Sequence, residues 1–133
     1  MPRTATARDR GFTLVELMVV ISIIIILLGV GLPIYSQSLR REREESLRKN
    51  LQTLNHMIDQ YTLDKRKAPK SLNDLVSAGY MKEIPADITG RTDTWTTEED
   101  DSIRSLEQTE PGITSVHSGS SQMAIDGTAY SSW

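Results

Sequence analysis

The chain has 133 residues and a formal net charge of −3, which allows one small domain. It has no cysteine, so disulfides and thiolate metal sites are excluded. The near-neutral charge gives no electrostatic argument for nucleic acid as a partner. Residues 40–70 carry nine Lys/Arg against five Asp/Glu, whereas residues 83–133 carry two against ten. We call residues 40–70 the basic stem and residues 83–133 an acidic part of the head. This distribution of charge would suit neighbouring copies that pack stem to head, or a stem that lies near anionic lipid.

The N-terminal part of the sequence predicts a leader followed by a membrane helix. Residues 1–11 are polar and basic, as in a cleaved leader peptide. Residues 17–39 form an uncharged run of 23 residues, and roughly 20 apolar residues are enough to cross a bilayer. We therefore predict a transmembrane and assembly helix over residues 12–35. Pro33 within the run predicts a kink or a loosened turn.

The helix is expected to continue beyond the apolar run. Apolar side chains recur at steps of four, three, four and three, which places them on one helical stripe: Leu47, Leu51, Leu54, Ile58 and Tyr61. This pattern predicts a helix from residue 12 to about residue 63, with an amphipathic continuation over 36–66. The stripe requires a partner surface within the rest of the chain.

Residues 67–133 are predicted to form a small globular head. Ala68-Pro69 should end the long helix, and Ser71 with Asp74 resembles a capping box that opens a short helix closed by Gly79. Four β-like runs, at 94–97, 113–117, 122–126 and 128–133, predict an antiparallel sheet of three or four strands. The expected fold class is α+β, with a long N-terminal helix packed on a small antiparallel sheet.

The run Gly11-Phe12-Thr13-Leu14-Val15-Glu16 resembles the processing site of type IV prepilins and of type II secretion pseudopilins. The resemblance implies cleavage by a prepilin peptidase after Gly11, N-methylation of Phe12 and a role for Glu16 in assembly. Pro33 also fits the family pattern. Segments at 61–64, 68–75 and 79–90 look like the core of a major (G-type) pseudopilin, which implies a type IV pilin-like fold.

Two physical readings of Glu16 are open at this point. A carboxylate costs about 2.5–3.5 kcal/mol at the centre of a membrane helix, so it needs a partner or an interfacial position. Glu16 of one subunit would neutralise the Phe12 ammonium of the next subunit in a filament, or else remain a solvated acid near the headgroups. For Pro33, unwinding when subunits pack and a static kink are equally consistent with the sequence.

Calcium is the one cofactor that the sequence raises. Major pseudopilins usually bind calcium in an acidic C-terminal loop, but residues 117–127 of this chain contain a single carboxylate, Asp126. A second candidate is the acidic run formed by Glu98, Glu99, Asp100 and Asp101. Its spacing fits no EF-hand, and such runs usually form solvated loops.

The expected function is structural. The sequence contains no nucleophile elbow, phosphate loop or HExxH motif, so we predict no enzymatic activity. We expect a pseudopilus subunit that drives type II protein secretion, anchored in the bacterial inner membrane with its leader cytoplasmic and its head periplasmic. Expected partners are other copies in a helical filament, the prepilin peptidase, minor pseudopilins, the inner-membrane assembly platform and the membrane, but not nucleic acid. The alternatives are a type IV pilus subunit for adhesion, motility or DNA uptake, and a monomeric membrane-anchored binding domain.

Overall fold

The computed structural model describes residues 11–100 and 110–133. They divide into two compact units, one extending to Ser38 and the other running from Leu39 to Trp133. The elements in chain order are α1 (Leu14–Lys65), α2 (Leu72–Ser77), β1 (Thr96–Asp100), β2 (Gly112–His117) and a 3-10 helix (Tyr130–Ser132).

The long helix α1 has 52 residues, and its limits lie within two residues of those predicted from the sequence. It remains helical through Pro33, where the hydroxyl of Ser36 donates to the Pro33 carbonyl oxygen at 2.9 Å. The helix ends before Ala68-Pro69 because Arg66 adopts a left-handed backbone conformation, with φ of 57°. Ala68-Pro69 follows the last helical residue, Lys65, by three positions, and the expected limit of residue 66 differs from Lys65 by one.

The first unit leaves its apolar side chains exposed. Between Phe12 and Tyr35 the large hydrophobic side chains range from 44% to 82% exposed on every face of α1. Of the helices in the two described stretches, α1 alone is long and apolar enough to cross a membrane. A helix that is apolar all round requires lipid or other protein around it.

The second unit buries the stripe on α1, as the spacing of the apolar residues predicts. Leu54, Ile58 and Tyr61 form one cluster with Leu75 of α2 and with two residues of β2, Ile113 and Val116. Leu47 and Leu51 form a second cluster with Ala124 and Tyr130. The same helical face therefore holds α2, the sheet and the last described segment of the chain together, and the α+β architecture is confirmed.

The sheet is smaller than expected. It has two antiparallel strands in the described part of the chain, β1 and β2, with Thr96 opposite His117 and an irregularity between Glu98 and Glu99. The prediction of three or four strands is wrong, because residues 122–133 contribute only an isolated bridge, Met123 to Ala129, and the 3-10 helix.

Residues 122–133, which we call the 122–133 loop, satisfy their backbone groups locally and through α1 instead of through a strand partner. The Ala124 N–H donates to the Thr128 carbonyl oxygen at 2.7 Å, and the Gly127 N–H donates back to the Ala124 carbonyl oxygen at 3.0 Å. Gly127 has a φ of 84°, which glycine adopts without strain and which allows the tight turn.

The short helix α2 confirms the predicted start signal. The carboxylate of Asp74 accepts the Ser71 N–H at 3.1 Å and the Lys70 N–H at 2.9 Å. The helix ends at Ser77, and Gly79 follows with a φ of 84°. Leu75 is fully buried, so the cap fixes the helix in the orientation that places this side chain in the core.

The packing of the stripe yields a first prediction. Leu54 is fully buried, whereas Leu63 on the same helix is 67% exposed. Leu54→Ala should lower the free energy of unfolding by about 2–5 kcal/mol, because it removes buried apolar surface and leaves a cavity. Leu63→Ala, the matched control, should change it by no more than about 0.5 kcal/mol. Urea unfolding of the full chain in detergent, followed by tryptophan fluorescence, measures both. Equal losses for the two variants would contradict the assignment of the core.

Candidate functional site

The predicted processing site lies just before α1. Gly11 and Phe12 have no regular secondary structure, and the Phe12 side chain is 82% exposed. A Cβ placed on Gly11 would meet no atom within 4 Å. The backbone at these two residues therefore lies outside the helix and is exposed, which a peptidase substrate requires.

Thr13 starts the helix and brings Glu16 into the first turn. Its hydroxyl oxygen accepts the Glu16 N–H at 3.2 Å, and its carbonyl oxygen accepts the Leu17 N–H at 3.1 Å. A carboxylate in the first turn also interacts favourably with the positive end of the helix dipole. The capping role of Thr13 was missed in the sequence analysis, although Thr13-x-x-Glu16 has the spacing of a capping box.

Pro33 lies far along the helix from this start, so the structure does not bring Glu16 and Pro33 together. Pro33 has no N–H, which leaves one carbonyl oxygen on the preceding turn without its helical donor. A Cβ placed on Gly29 or on Gly31 would meet nothing within 4 Å, so packing inside the chain does not require glycine there. Whether this stretch unwinds in an assembly stays a prediction.

The acidic run is only partly described. Glu98, Glu99 and Asp100 lie on β1, and Asp101 lies outside the described residues. One oxygen of Glu98 accepts the Ser115 hydroxyl at 2.9 Å, and the other lies 3.4 Å from Nε2 of His117. Over residues 11–100 and 110–133, no group of three or more His, Cys, Asp or Glu side chains could hold a metal ion. Calcium binding by the run stays a prediction.

A buried carboxylate, Asp87, holds the connector after α2 to the segment after β2. Asp87 is 4% exposed. Its carboxylate accepts four hydrogen bonds, at 2.6, 2.6, 2.9 and 3.1 Å, from the Ile88 N–H, the Ser118 hydroxyl, the Thr94 hydroxyl and the Gly119 N–H. These donors compensate the cost of burying the charge. Gly119 is required here, because a Cβ would overlap the carbonyl oxygen of Thr94.

Sequence reasoning missed Asp87 and a second buried acid, Glu44. No periodicity marks Asp87, since its four donors come from loops and strand ends whose geometry the sequence does not specify. The burial of Glu44 could have been predicted from the spacing of the apolar stripe. Glu44 lies three residues before Leu47, so extending the apolar stripe by one step reaches it and predicts a buried carboxylate.

The Asp87 cluster yields a second prediction. Asp87→Asn should lower the free energy of unfolding by about 1–3 kcal/mol, because an amide supplies one acceptor oxygen and would leave buried donors unpaired. Asp93→Asn is the matched control. Asp93 is exposed, and the Arg91 guanidinium that pairs with it at 2.6 Å lowers the pKa of the Asp93 carboxyl. Chemical denaturation should show a clearly larger loss for Asp87→Asn. The same small loss in both variants would mean that Asp87 does not organise the connector.

Comparison with known proteins identifies a family motif at the predicted processing site. Residues 6–32 match the family described as the prokaryotic N-terminal methylation motif. This match includes Gly11, Phe12 and Glu16. No solved structure matches the chain significantly.

Several curated proteins are similar over longer stretches. Type II secretion system core protein G of Escherichia coli K12 is 32% identical over 102 residues, covering 65% of this chain and 70% of that protein. Competence protein ComGC of Halalkalibacterium halodurans is 33% identical over 72 residues, covering 54% of this chain and 71% of that protein. Prepilin peptidase-dependent protein D of E. coli K12 is 59% identical over 34 residues, covering 26% of this chain and 23% of that protein. The methylation motif, the apolar helix and the similarity beyond them establish that this chain belongs to the type IV pilin-like family of membrane-anchored proteins, as a relative of the type II secretion core protein G.

Proposed function

We propose that this protein is a non-enzymatic structural subunit of a pseudopilus, which polymerises through α1 to drive type II protein secretion. The observation that carries the proposal is the extent of the similarity to core protein G. That similarity covers 65% of the chain, whereas the methylation motif ends at residue 32. It therefore extends beyond the motif and includes residues of the head.

Processing is the first step of the proposed function. A prepilin peptidase would cleave after Gly11, and the new N-terminal residue, Phe12, would be methylated. Two observations support this step. The bond lies in exposed backbone before the first turn of α1, and a 34-residue stretch of the chain is 59% identical to prepilin peptidase-dependent protein D of E. coli K12.

The membrane placement follows from the apolar surface of the first unit. We propose that residues 12–35 cross the inner membrane, with residues 1–11 cytoplasmic and the head periplasmic. Arg3, Arg8 and Arg10 precede the apolar run and Arg40, Arg41 and Arg43 follow it, so the distribution of positive charge does not itself fix the orientation. The orientation is taken from the pilin-like family.

Assembly would exchange lipid contacts for contacts between copies. Each side of α1 over residues 12–35 is apolar and exposed, so many copies can pack around one another in an open helical filament. Glu16 is the one charged residue in this surface. In a low dielectric it would be stabilised by the methylated Phe12 ammonium of a neighbour, and an unpaired carboxylate would oppose packing. Minor pseudopilins and the inner-membrane assembly platform are the proposed further partners.

A type IV pilus subunit is the second candidate. The similarity to competence protein ComGC, which covers 71% of that protein, favours this alternative. A monomeric membrane-anchored binding domain is less well supported, because it gives no role to Glu16 or to the processing site.

Substitution of Glu16 tests the assembly step. Glu16→Ala should leave membrane insertion and cleavage intact and should abolish filament formation, because the Phe12 ammonium would have no partner. Glu42→Ala is the matched control, since Glu42 is an exposed acid on α1 beyond the apolar run. Sedimentation and electron microscopy of sheared filaments measure assembly. Normal filaments from Glu16→Ala would contradict the proposed role.

Deletion of the gene separates the two filament hypotheses. If the protein drives type II secretion, the deletion strain should retain its exported proteins in the periplasm, and the full-length chain should restore export while Glu16→Ala should not. Immunoblots of the culture medium and of the periplasm measure this directly. Unchanged export together with a loss of surface filaments or of DNA uptake would favour the type IV pilus instead.

A further inference from the structure

Three charged side chains of α1 reach the 122–133 loop. Arg40, Glu44 and Arg48 are spaced by four residues, so they lie along one face of the helix. Each of them makes a contact with the loop more than 75 residues later in the sequence. Within the described residues the loop has only the bridge between Met123 and Ala129, so these contacts and the packing of Ala124 and Tyr130 on Leu47 and Leu51 attach it to the helix.

Glu44 is the buried member of the set. One of its carboxylate oxygens accepts the Ile125 N–H at 2.8 Å and the Tyr130 hydroxyl at 2.7 Å. The Arg40 guanidinium lies 3.8 Å from the same oxygen and also donates to the Met123 carbonyl oxygen. Burial, and then the bond to Glu44, raise the pKa of the Tyr130 phenol above its ordinary value.

Arg48 belongs to a ring of contacts among four side chains, Arg48, Asp126, Thr128 and Trp133. Its guanidinium lies 3.5 Å from one oxygen of Asp126 and 4.2 Å above the centre of the Trp133 ring. The other oxygen of Asp126 accepts the Thr128 hydroxyl at 2.6 Å, and that hydroxyl accepts the Trp133 indole N–H at 2.7 Å. An aspartate and an aromatic face together form a site for a cation, and the chain supplies that cation itself.

The loop does not fit the calcium ion that the family resemblance implies. Calcium requires six to eight oxygen ligands, many of them carboxylate and backbone carbonyl oxygens. Four carbonyl oxygens of the loop, at Gln122, Met123, Ala124 and Thr128, each use one lone pair to accept a hydrogen bond, from Tyr130, Arg40, Gly127 and Ala124, respectively. Its one carboxylate, Asp126, is taken by Thr128 and Arg48. A divalent ion beside the Arg48 guanidinium would also be repelled.

We propose that Arg48 takes the place of a metal ion in this protein, and that α1 holds the 122–133 loop closed without calcium. Glu44 holds Ile125 and Tyr130, and Arg48 holds Asp126 and Trp133. The loop should therefore keep its fold in a medium that contains no divalent cation. The inference concerns the head alone and does not depend on whether the filament serves secretion or a surface pilus.

The ionisation of Asp126 supports the clamp over a wide pH range. Its pKa is lowered by the Thr128 hydroxyl, by the Thr128 N–H and, less strongly, by Arg48. A lowered pKa means that the folded state favours the charged carboxylate. Its contribution to stability is therefore present above the ordinary aspartate value of 3.8 and is lost as the pH falls through the lowered pKa. At neutral pH both partners of the ion pair are charged.

Thermal unfolding of the full chain in detergent tests the proposal, with excess calcium and with excess chelator. Arg48→Met keeps the aliphatic stem and removes the charge, and it should lower the Tm by about 4–8 °C in both conditions. Arg41→Met is the matched control, because Arg41 is an exposed cation on the same helix, and its Tm should stay near that of the parent protein. Arg48→Lys provides a milder variant should Arg48→Met fail to fold, and it should give an intermediate Tm.

Asp126→Asn decides between the arginine and a metal ion. Under the proposal, this variant responds to calcium in the same way as the parent protein, and its combination with Arg48→Met lowers the Tm by less than the sum of the single changes. The proposal is overturned if calcium raises the Tm of the parent protein and Asp126→Asn abolishes that increase. It is equally overturned if the Arg48 variants and Arg41→Met melt at the same temperature.

Discussion

The exposed apolar surface of residues 12–35 is the constraint on which the remaining features depend. Its large side chains are covered by nothing in the first unit, and they surround the helix on all sides. Water cannot accommodate such a surface, so it must be held in lipid or against other copies of the chain. In the proposed assembly, Glu16 would need a partner in this apolar surface, and cleavage at Gly11-Phe12 would create a positive charge one helical turn away.

The second half of α1 carries an apolar stripe that the head must cover. Two core clusters of the head pack on this stripe, one on Leu54, Ile58 and Tyr61 and the other on Leu47 and Leu51. A sheet of two strands supplies little of the backbone pairing, so buried acids provide additional attachment. Asp87 collects donors from the connector and from the segment after β2, while Glu44 collects donors from the 122–133 loop. The head is thus organised by side-chain to backbone bonds as much as by strand pairing.

The elements with strong local signals were predictable, and those fixed by distant contacts were not. The limits of α1 follow from the apolar run and the stripe, and α2 follows from Ser71, Asp74 and Gly79. The β-like runs at 122–126 and 128–133 predict two strands that the 122–133 loop does not form. In the structure Glu44 and Arg48 bind that segment from more than 75 positions earlier, and no local pattern reports such contacts. The motif of Gly11, Phe12 and Glu16 could be recognised because its spacing is local, whereas Asp87 was missed because its donors are dispersed.

The central claim is that this chain is processed as a pilin-like subunit, and intact-mass analysis of the protein from its native membrane tests it most directly. The account predicts a single mature species that begins at Phe12 and carries one additional methyl group on its N-terminal amine. A protein that retains residues 1–11 in a cell with an active prepilin peptidase would contradict the account, because Glu16 would then have no N-terminal ammonium with which to pair.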